Sequence, residues 1–192
     1  MSSSTETASP SVFAGEVRSA TGVVLQKCYQ CGKCSAGCPM GTEMDLPPSL
    51  VMRKLQTGEQ DHTDSVLRSM SIWLCVSCEM CVTRCPMEID IPRLMDFLRQ
   101  RSMQEGKANS GAKKIISFHR SFLDSINYTG RLYEVGLIAD YKLRTGTLSQ
   151  DVAVAPKMFV KGKLNPVPEV IRGRKKVSSI FGKTIKKQEG SK

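Results

Sequence analysis

Cys28-Tyr29-Gln30-Cys31-Gly32-Lys33-Cys34-Ser35-Ala36-Gly37-Cys38-Pro39 returns further along the chain as Cys75-Val76-Ser77-Cys78-Glu79-Met80-Cys81-Val82-Thr83-Arg84-Cys85-Pro86. Both runs read C-x2-C-x2-C-x3-C-P, and together they use all 8 cysteines of the 192 residues. This is the cysteine spacing that binds a [4Fe–4S] cluster. Three thiolates two residues apart wrap one face of a cubane, and the tight loop turns backbone N–H groups toward its sulfurs. The fourth cysteine, set back by three residues and followed by proline, points away and ligates the other cluster. The expected ligand sets are therefore Cys28, Cys31, Cys34 and Cys85 for one cluster, and Cys75, Cys78, Cys81 and Cys38 for the second. Such a crossing staples the two halves together and brings the clusters within tunnelling reach of each other. Gly32 and Gly37 suit a close backbone approach. A zinc site would use paired C-x2-C knuckles without the third cysteine or the proline. A disulfide framework would call for a shorter, secreted chain.

The repeat continues beyond the cysteines. Pro39-Met40 pairs with Pro86-Met87, and Asp45-Leu46-Pro47 pairs with Asp90-Ile91-Pro92 after a two-residue slip. Each Asp is placed to cap a helix whose first turn tolerates the proline. Leu50, Val51 and Leu55 mark the first such helix, and Leu94, Met95 and Leu98 the second. Gly58 stops the first. A further helix is predicted over Asp64–Leu74, with Val66, Leu67, Met70, Trp73 and Leu74 on one face and Trp73 packed as a water shield for the cluster. Upstream, Phe13–Ala20 reads as a short amphipathic helix closed near Gly22. Strand signals are nearly absent, so the fold class is all-α.

Downstream, Ser110–Ile126 aligns Ile115, Ile116, Phe118, Phe122, Leu123 and Ile126 at helical spacing, and Leu132–Tyr141 continues helically after Gly130. From Thr145 onward Gly146, Pro156, Gly162, Pro166 and Pro168 break the chain into short pieces, as in an arm. The expected divisions are a disordered tail over 1–11, a cluster domain over 12–105, a helical or irregular partner-binding extension over 106–171, and a basic tail over 172–192. Aromatic residues make up only 6% of the chain, so the core should be thin and built from Leu, Ile, Val and Met. Charge divides along the same line. Residues 1–100 carry 9 Lys/Arg against 11 Asp/Glu, whereas residues 101–192 carry 19 against 7.

The stretches CYQCGKCSAGCPM and CVSCEMCVTRCPMEIDIP, with GRLYEVGLIADYKLRTG and APKMFVKGKL beyond them, resemble the C-type iron–sulfur subunit of heterodisulfide reductase and its bacterial relatives. The resemblance spans roughly residues 13–171 and includes all eight ligand positions. It implies the alpha-helical ferredoxin fold with two [4Fe–4S] clusters as cofactors, here carrying an additional C-terminal helical arm. It further implies an electron-transfer component of a heterodisulfide reductase-like complex. Such a component relays single electrons between the flavin-containing A-type subunit of that complex and its catalytic, iron–sulfur B-type subunit, and binds no small-molecule substrate itself.

The residues agree with a relay that has no active site of its own. There is no G-x-G-x-x-G after a strand, no phosphate loop and no H-E-x-x-H, and no cysteine is left to act as a nucleophile. His62 and His119 read as surface residues. The alternative function is a free, diffusible ferredoxin serving several oxidoreductases, but such proteins tend to be shorter and acidic. The tail holds Arg172, Arg174, Lys175, Lys176, Lys183, Lys186, Lys187 and Lys192 against Glu189, with Val177, Ile180, Phe181 and Ile185 at helical spacing. It reads first as a solvated helix, then as a docking element for an acidic partner. Membrane contact is less favoured, and nucleic acid is not expected without a recognised binding fold. No segment suits a membrane span or a signal peptide, so the chain is expected in the cytoplasm, with peripheral attachment to the inner membrane as a secondary reading.

Overall fold

Helices form where apolar residues recur at three and four positions, and here those stripes converge on a small aliphatic core. The computed structural model describes residues 12–147, 155–162 and 167–189. It divides into two units, Met1–Ala112 and Lys113–Lys192. The expected tail over 1–11 lies outside the described residues, as do Pro166 and Lys192.

The first unit contains seven helices among its described residues: α1 (Val12–Thr21), α2 (Lys33–Ala36), α3 (Pro48–Thr57), α4 (Gln60–Leu67), α5 (Ser71–Leu74), α6 (Met80–Thr83) and α7 (Ile91–Gln104). A 3-10 turn, Leu25–Lys27, leads into the first cysteine. No strand occurs among the described residues, and the fold is all-α. Val17, Val51, Met52, Leu55, Val66, Leu67, Ile72, Leu94, Met95 and Leu98 are essentially fully buried, a core of the aliphatic kind the composition implies. α7 is its centre, packing against α1, α4 and α5. Gly58, at φ 73°, closes α3, and Gly22, at φ 76°, follows α1.

Three local expectations change. In α3 the buried stripe is Pro48, Val51, Met52 and Leu55, while Leu50 is 41% exposed. The helix starts at Pro48, and a spacing of three, four and seven from there selects Met52 rather than Leu50.

The helix predicted over Asp64–Leu74 is two helices. α4 ends at Leu67, and α5 begins afresh at Ser71. The break has a cause outside the segment. Asp45 accepts hydrogen bonds from the Met70 and Ser71 N–H groups at 3.0 and 2.9 Å, and the buried Ser102 hydroxyl donates to the Leu67 carbonyl at 2.7 Å. Groups that would have continued the helix are thus engaged elsewhere.

The third change concerns capping. Asp90 caps its own helix, accepting from the Arg93 N–H at 3.0 Å. Asp45 does not cap α3, whose N-cap is Pro47. It caps α5 instead, from 25 residues away in sequence.

The second unit contains α8 (Lys113–Thr129), α9 (Glu134–Thr145), α10 (Ala155–Val160) and α11 (Arg174–Glu189). α8 packs along α9 and also meets α11. The aligned apolar residues of α8 are not the ones that are buried. Ser117, Ser121, Ser125 and Thr129 are buried, whereas Phe118 and Leu123 stay 45% and 49% exposed. Small side chains four apart let the neighbouring backbone come close. Ser125 Oγ accepts from the Tyr133 N–H at 2.9 Å and so holds the start of α9. Arg144 pairs with Asp124 and Asp140 at 2.7 and 2.6 Å, tying α9 to α8. The basic segment is helical as expected from its spacing, with Val177 and Phe181 half-buried and Ile180 62% exposed.

Candidate metal centre

The two cysteine loops adopt one conformation, residue for residue. Gln30 and Gly32 have φ of 62° and 75°, and their counterparts Ser77 and Glu79 have 51° and 61°. These left-handed residues flank Cys31 and Cys78 and fold each loop back on itself. A Cβ at Gly32 would meet nothing within 4 Å, so its backbone angle, and not a close approach, is what suits glycine there. The loops then enter α2 and α6, with matching turn bonds: Ser35 and Ala36 N–H to Gly32 O, and Val82 and Thr83 N–H to Glu79 O.

α2 and α6 pack against one another. Gly37 and Arg84 are equivalent positions of the repeat, and here the close approach is real. A Cβ at Gly37 would lie 2.5 Å from Arg84 Nη1. The bare glycine in one half leaves room for the arginine of the other.

Cys28, Cys31, Cys34 and Cys85 line one cavity together with Met52, Ile89 and Ile91. Three thiols of the first run and the last thiol of the second therefore face a shared space. Soft sulfur donors on an apolar wall are the chemistry an iron–sulfur cluster takes. Around the other run, burial and the neighbouring Cys75 and Cys78 push the Cys81 thiol up to about 11. Burial likewise raises the Cys34 thiol. Cys34 and Cys81 are the buried members, Cys31 and Cys78 the exposed ones, and Cys28, Cys38, Cys75 and Cys85 lie between. Cys38 stands at the end of α2, in the position that corresponds to Cys85. The Ile89 N–H approaches Cys85 Sγ at 3.5 Å.

Each loop is held at its entrance by the helix that comes after its cysteine run, α3 in the first half and α7 in the second. In the first half, Gln56 Nε2 donates to the carbonyls of Leu25 and Cys28 at 2.8 and 2.7 Å. In the second, Arg99 donates through Nε to the Ile72 carbonyl at 2.5 Å and through Nη2 to the Cys75 carbonyl. The four carbonyls are equivalent in the repeat, and each clamp is the ninth residue of its helix. Sequence reading missed both. A long polar side chain on a helix directly after a cysteine run is the signal that could have found them.

The surfaces at the exposed thiols differ. Tyr29 is 60% exposed beside the first run, with Lys27 and Lys33 exposed nearby. The second is flanked by exposed Val76, Met80 and Met87 and by Glu79 and Glu88. Trp73 is buried as expected, ahead of Cys75, and is not among the residues lining the cavity. His62 is half-exposed and hydrogen-bonded to Thr57 Oγ1 at 2.8 Å, and His119 is exposed, as surface residues should be.

Residues 24–89, about a third of the chain, match the family described as a 4Fe-4S dicluster domain. The C-type iron–sulfur subunit of the CoB–CoM heterodisulfide reductase of Methanopyrus kandleri is 33% identical over 94 residues, covering 49% of this chain and 47% of that protein. Its counterpart in Methanocaldococcus jannaschii, the second C-type iron–sulfur subunit of the same reductase, is 31% identical over 111 residues, 58% of each chain. Over this stretch the chain is similar to the C-type iron–sulfur subunits. A further C-type member, from the H(2)/formate:CoB-CoM heterodisulfide,ferredoxin reductase of Methanococcus maripaludis, is 35% identical over 82 residues, 43% of this chain and 42% of that one. The chain thus spans about half the length of the curated C-type relatives it matches. The dicluster match and the eight cysteines give the chain two [4Fe–4S] clusters, groups whose chemistry is one-electron transfer. Among the described residues no helix is long and apolar enough to cross a membrane.

Proposed function

We propose that the chain relays single electrons between a flavin-containing A-type subunit of a heterodisulfide reductase-like complex and its catalytic B-type subunit, with no substrate of its own. One cluster is bound by Cys28, Cys31, Cys34 and Cys85, and the other by Cys75, Cys78, Cys81 and Cys38. The observation that carries this is the cavity in which Cys85 joins the three thiols of the first run. The pseudo-symmetry of the loops supports the reciprocal place for Cys38. Each cluster, when bound, accepts and returns one electron without a bond to substrate.

The chain's own residues do the rest. The buried aliphatic side chains of α3 and α7 keep water from the inner faces, and the α2–α6 packing holds the two loops together. The exposed thiols, Cys31 and Cys78, lie on surfaces of unlike chemistry, which suits two different partners. The exposed Phe118 and Leu123 on α8 give the extension apolar surface for a fixed neighbour, which favours a place in a complex over a freely diffusing carrier.

Double substitution tests the ligand crossing. The wild-type protein, reconstituted without oxygen, should hold about eight irons. Cys31→Ser with Cys85→Ser should disturb the same cluster as either change alone, leaving about four irons and one EPR signal. Cys78→Ser with Cys85→Ser should disturb both. If that second pair spares one cluster, Cys85 belongs to its own run and the crossing is wrong. Co-purification of untagged chain from its native source with a flavoprotein and a second iron–sulfur protein tests the relay. A monomer active toward unrelated acceptors would replace it with the free ferredoxin.

A further inference from the structure

The repeat is nearly symmetric in backbone and cysteine placement, so a difference between equivalent positions in its halves is informative. The clamps are such a difference. Gln56 and Arg99 grip equivalent carbonyls, one pair in each half, from equivalent places on α3 and α7. One clamp is a neutral amide, and the other is a guanidinium with a permanent positive charge. Arg99 is well covered, its side chain 18% exposed. It donates directly to the carbonyl of Cys75, the first cysteine of its run.

A reduced cluster is one charge more negative than an oxidised one, so a nearby cation stabilises the reduced form. We propose that Arg99 raises the reduction potential of the cluster held by the second cysteine run relative to its counterpart beside Gln56, so that a single electron shared between the two rests there. No bond forms or breaks in this step; one electron passes from the first cluster to the second. The proposal rests on the relay reading above.

Other charges near the loops act less strongly. Asp96 pairs with Arg99 Nη1 at 2.9 Å, but its side chain is 56% exposed and faces water. Glu79 and Glu88 beside the second loop, and Lys27 and Lys33 beside the first, oppose the Arg99 effect. All four are exposed and screened by salt. Arg84 is exposed and lies over Gly37 between the two loops, so it favours neither strongly.

The test is an anaerobic redox titration of the two-cluster protein, followed by EPR, after iron analysis has established full loading. Arg99→Gln should lower one of the two midpoint potentials and leave the other in place. Gln56→Arg should raise the other one. Asp96→Asn should move the Arg99-linked potential upward, and Arg99→Lys, which keeps the charge with fewer hydrogen bonds, should retain most of the wild-type value. The proposal is overturned if Arg99→Gln moves neither potential or both equally, if Gln56→Arg moves the same one as Arg99→Gln, or if Arg99→Lys shifts as far as Arg99→Gln. Should Arg99→Gln fail to load both clusters, Gln56→Arg and Asp96→Asn decide it, since both leave the Arg99 clamp in place. Failure of the relay reading would look different, as wild-type protein lacking two reducible clusters.

Discussion

Asp45→Ala removes one carboxylate and with it the acceptor of three hydrogen bonds to another element: the Met70 N–H at 3.0 Å, the Ser71 N–H at 2.9 Å and the Ser71 hydroxyl at 2.5 Å. Two of these bonds cap α5, and losing such a cap costs about 0.5–2 kcal/mol. The third leaves the hydroxyl of fully buried Ser71 without an acceptor, about 1–3 kcal/mol more, partly offset because Ser71 Oγ still accepts from the Leu46 N–H at 2.7 Å. The sum is about 1.5–5 kcal/mol before that offset, which at a slope of about 2 kcal/mol/M moves a urea midpoint down by roughly 1–2 M. The assay is anaerobic urea denaturation of the cluster-loaded protein, read by helical circular dichroism and by the visible absorbance of the clusters. Asp45→Asn keeps one acceptor oxygen and should fall between wild type and Asp45→Ala.

The pH dependence is a second check on the same residue. Burial by itself raises the Asp45 pKa, but the Ser71 hydroxyl and the N–H groups of Met70, Ser71 and Leu46 outweigh it and hold the carboxyl below its ordinary 3.8. A folded pKa below the unfolded one means that the unfolded chain binds more protons, so this contribution is complete above 3.8 and is lost as pH falls through the folded value. The gap between wild type and Asp45→Ala should therefore be flat from about pH 7 to about pH 5 and shrink only below that. A midpoint unchanged by Asp45→Ala would refute the cap. A gap that closes already near neutral pH would refute the carboxylate's part in it.

Ser102→Ala removes the 2.7 Å bond to the Leu67 carbonyl in a fully buried setting and should cost about 1–3 kcal/mol, seen as a lower thermal midpoint. Met52→Ala opens a cavity in the wall shared by the core and the cysteine cavity. It should cost about 2–5 kcal/mol and speed cluster loss under urea. Replacing Lys27 and Lys33 with Glu should slow oxidation of the reduced protein by ferricyanide, an anion, in a salt-dependent way, while Glu79 and Glu88 changed to Lys should slow hexaammineruthenium, a cation. Equal responses of both oxidants to both pairs would argue against separate ports. Gly37→Ala should displace Arg84 and cost little stability, since the group it meets is the far end of a flexible side chain. A crystal structure with Arg84 unmoved would contradict the packing.

Short-range chemistry made much of this protein legible. The cysteine spacing, the helix stops at Gly22 and Gly58, the Asp90 cap and the stripe of α7 all depend on residues within a few positions of one another, so one chain read in order reveals them. The Asp64–Leu74 helix and the α8 face were read by the same means and came out differently. Periodicity reports which residues could share a face, and packing decides which of them is covered. In α8 the serines were covered because their small size lets α9 approach.

The eight cysteines, their pairing into two runs and the all-helical build followed from the sequence by itself, because local spacing sets them. Which helix Asp45 caps and what grips each loop were decided only by the tertiary structure. Those are meetings of groups 24 to 31 residues apart, and no local pattern carries the angle at which two helices bring such groups together.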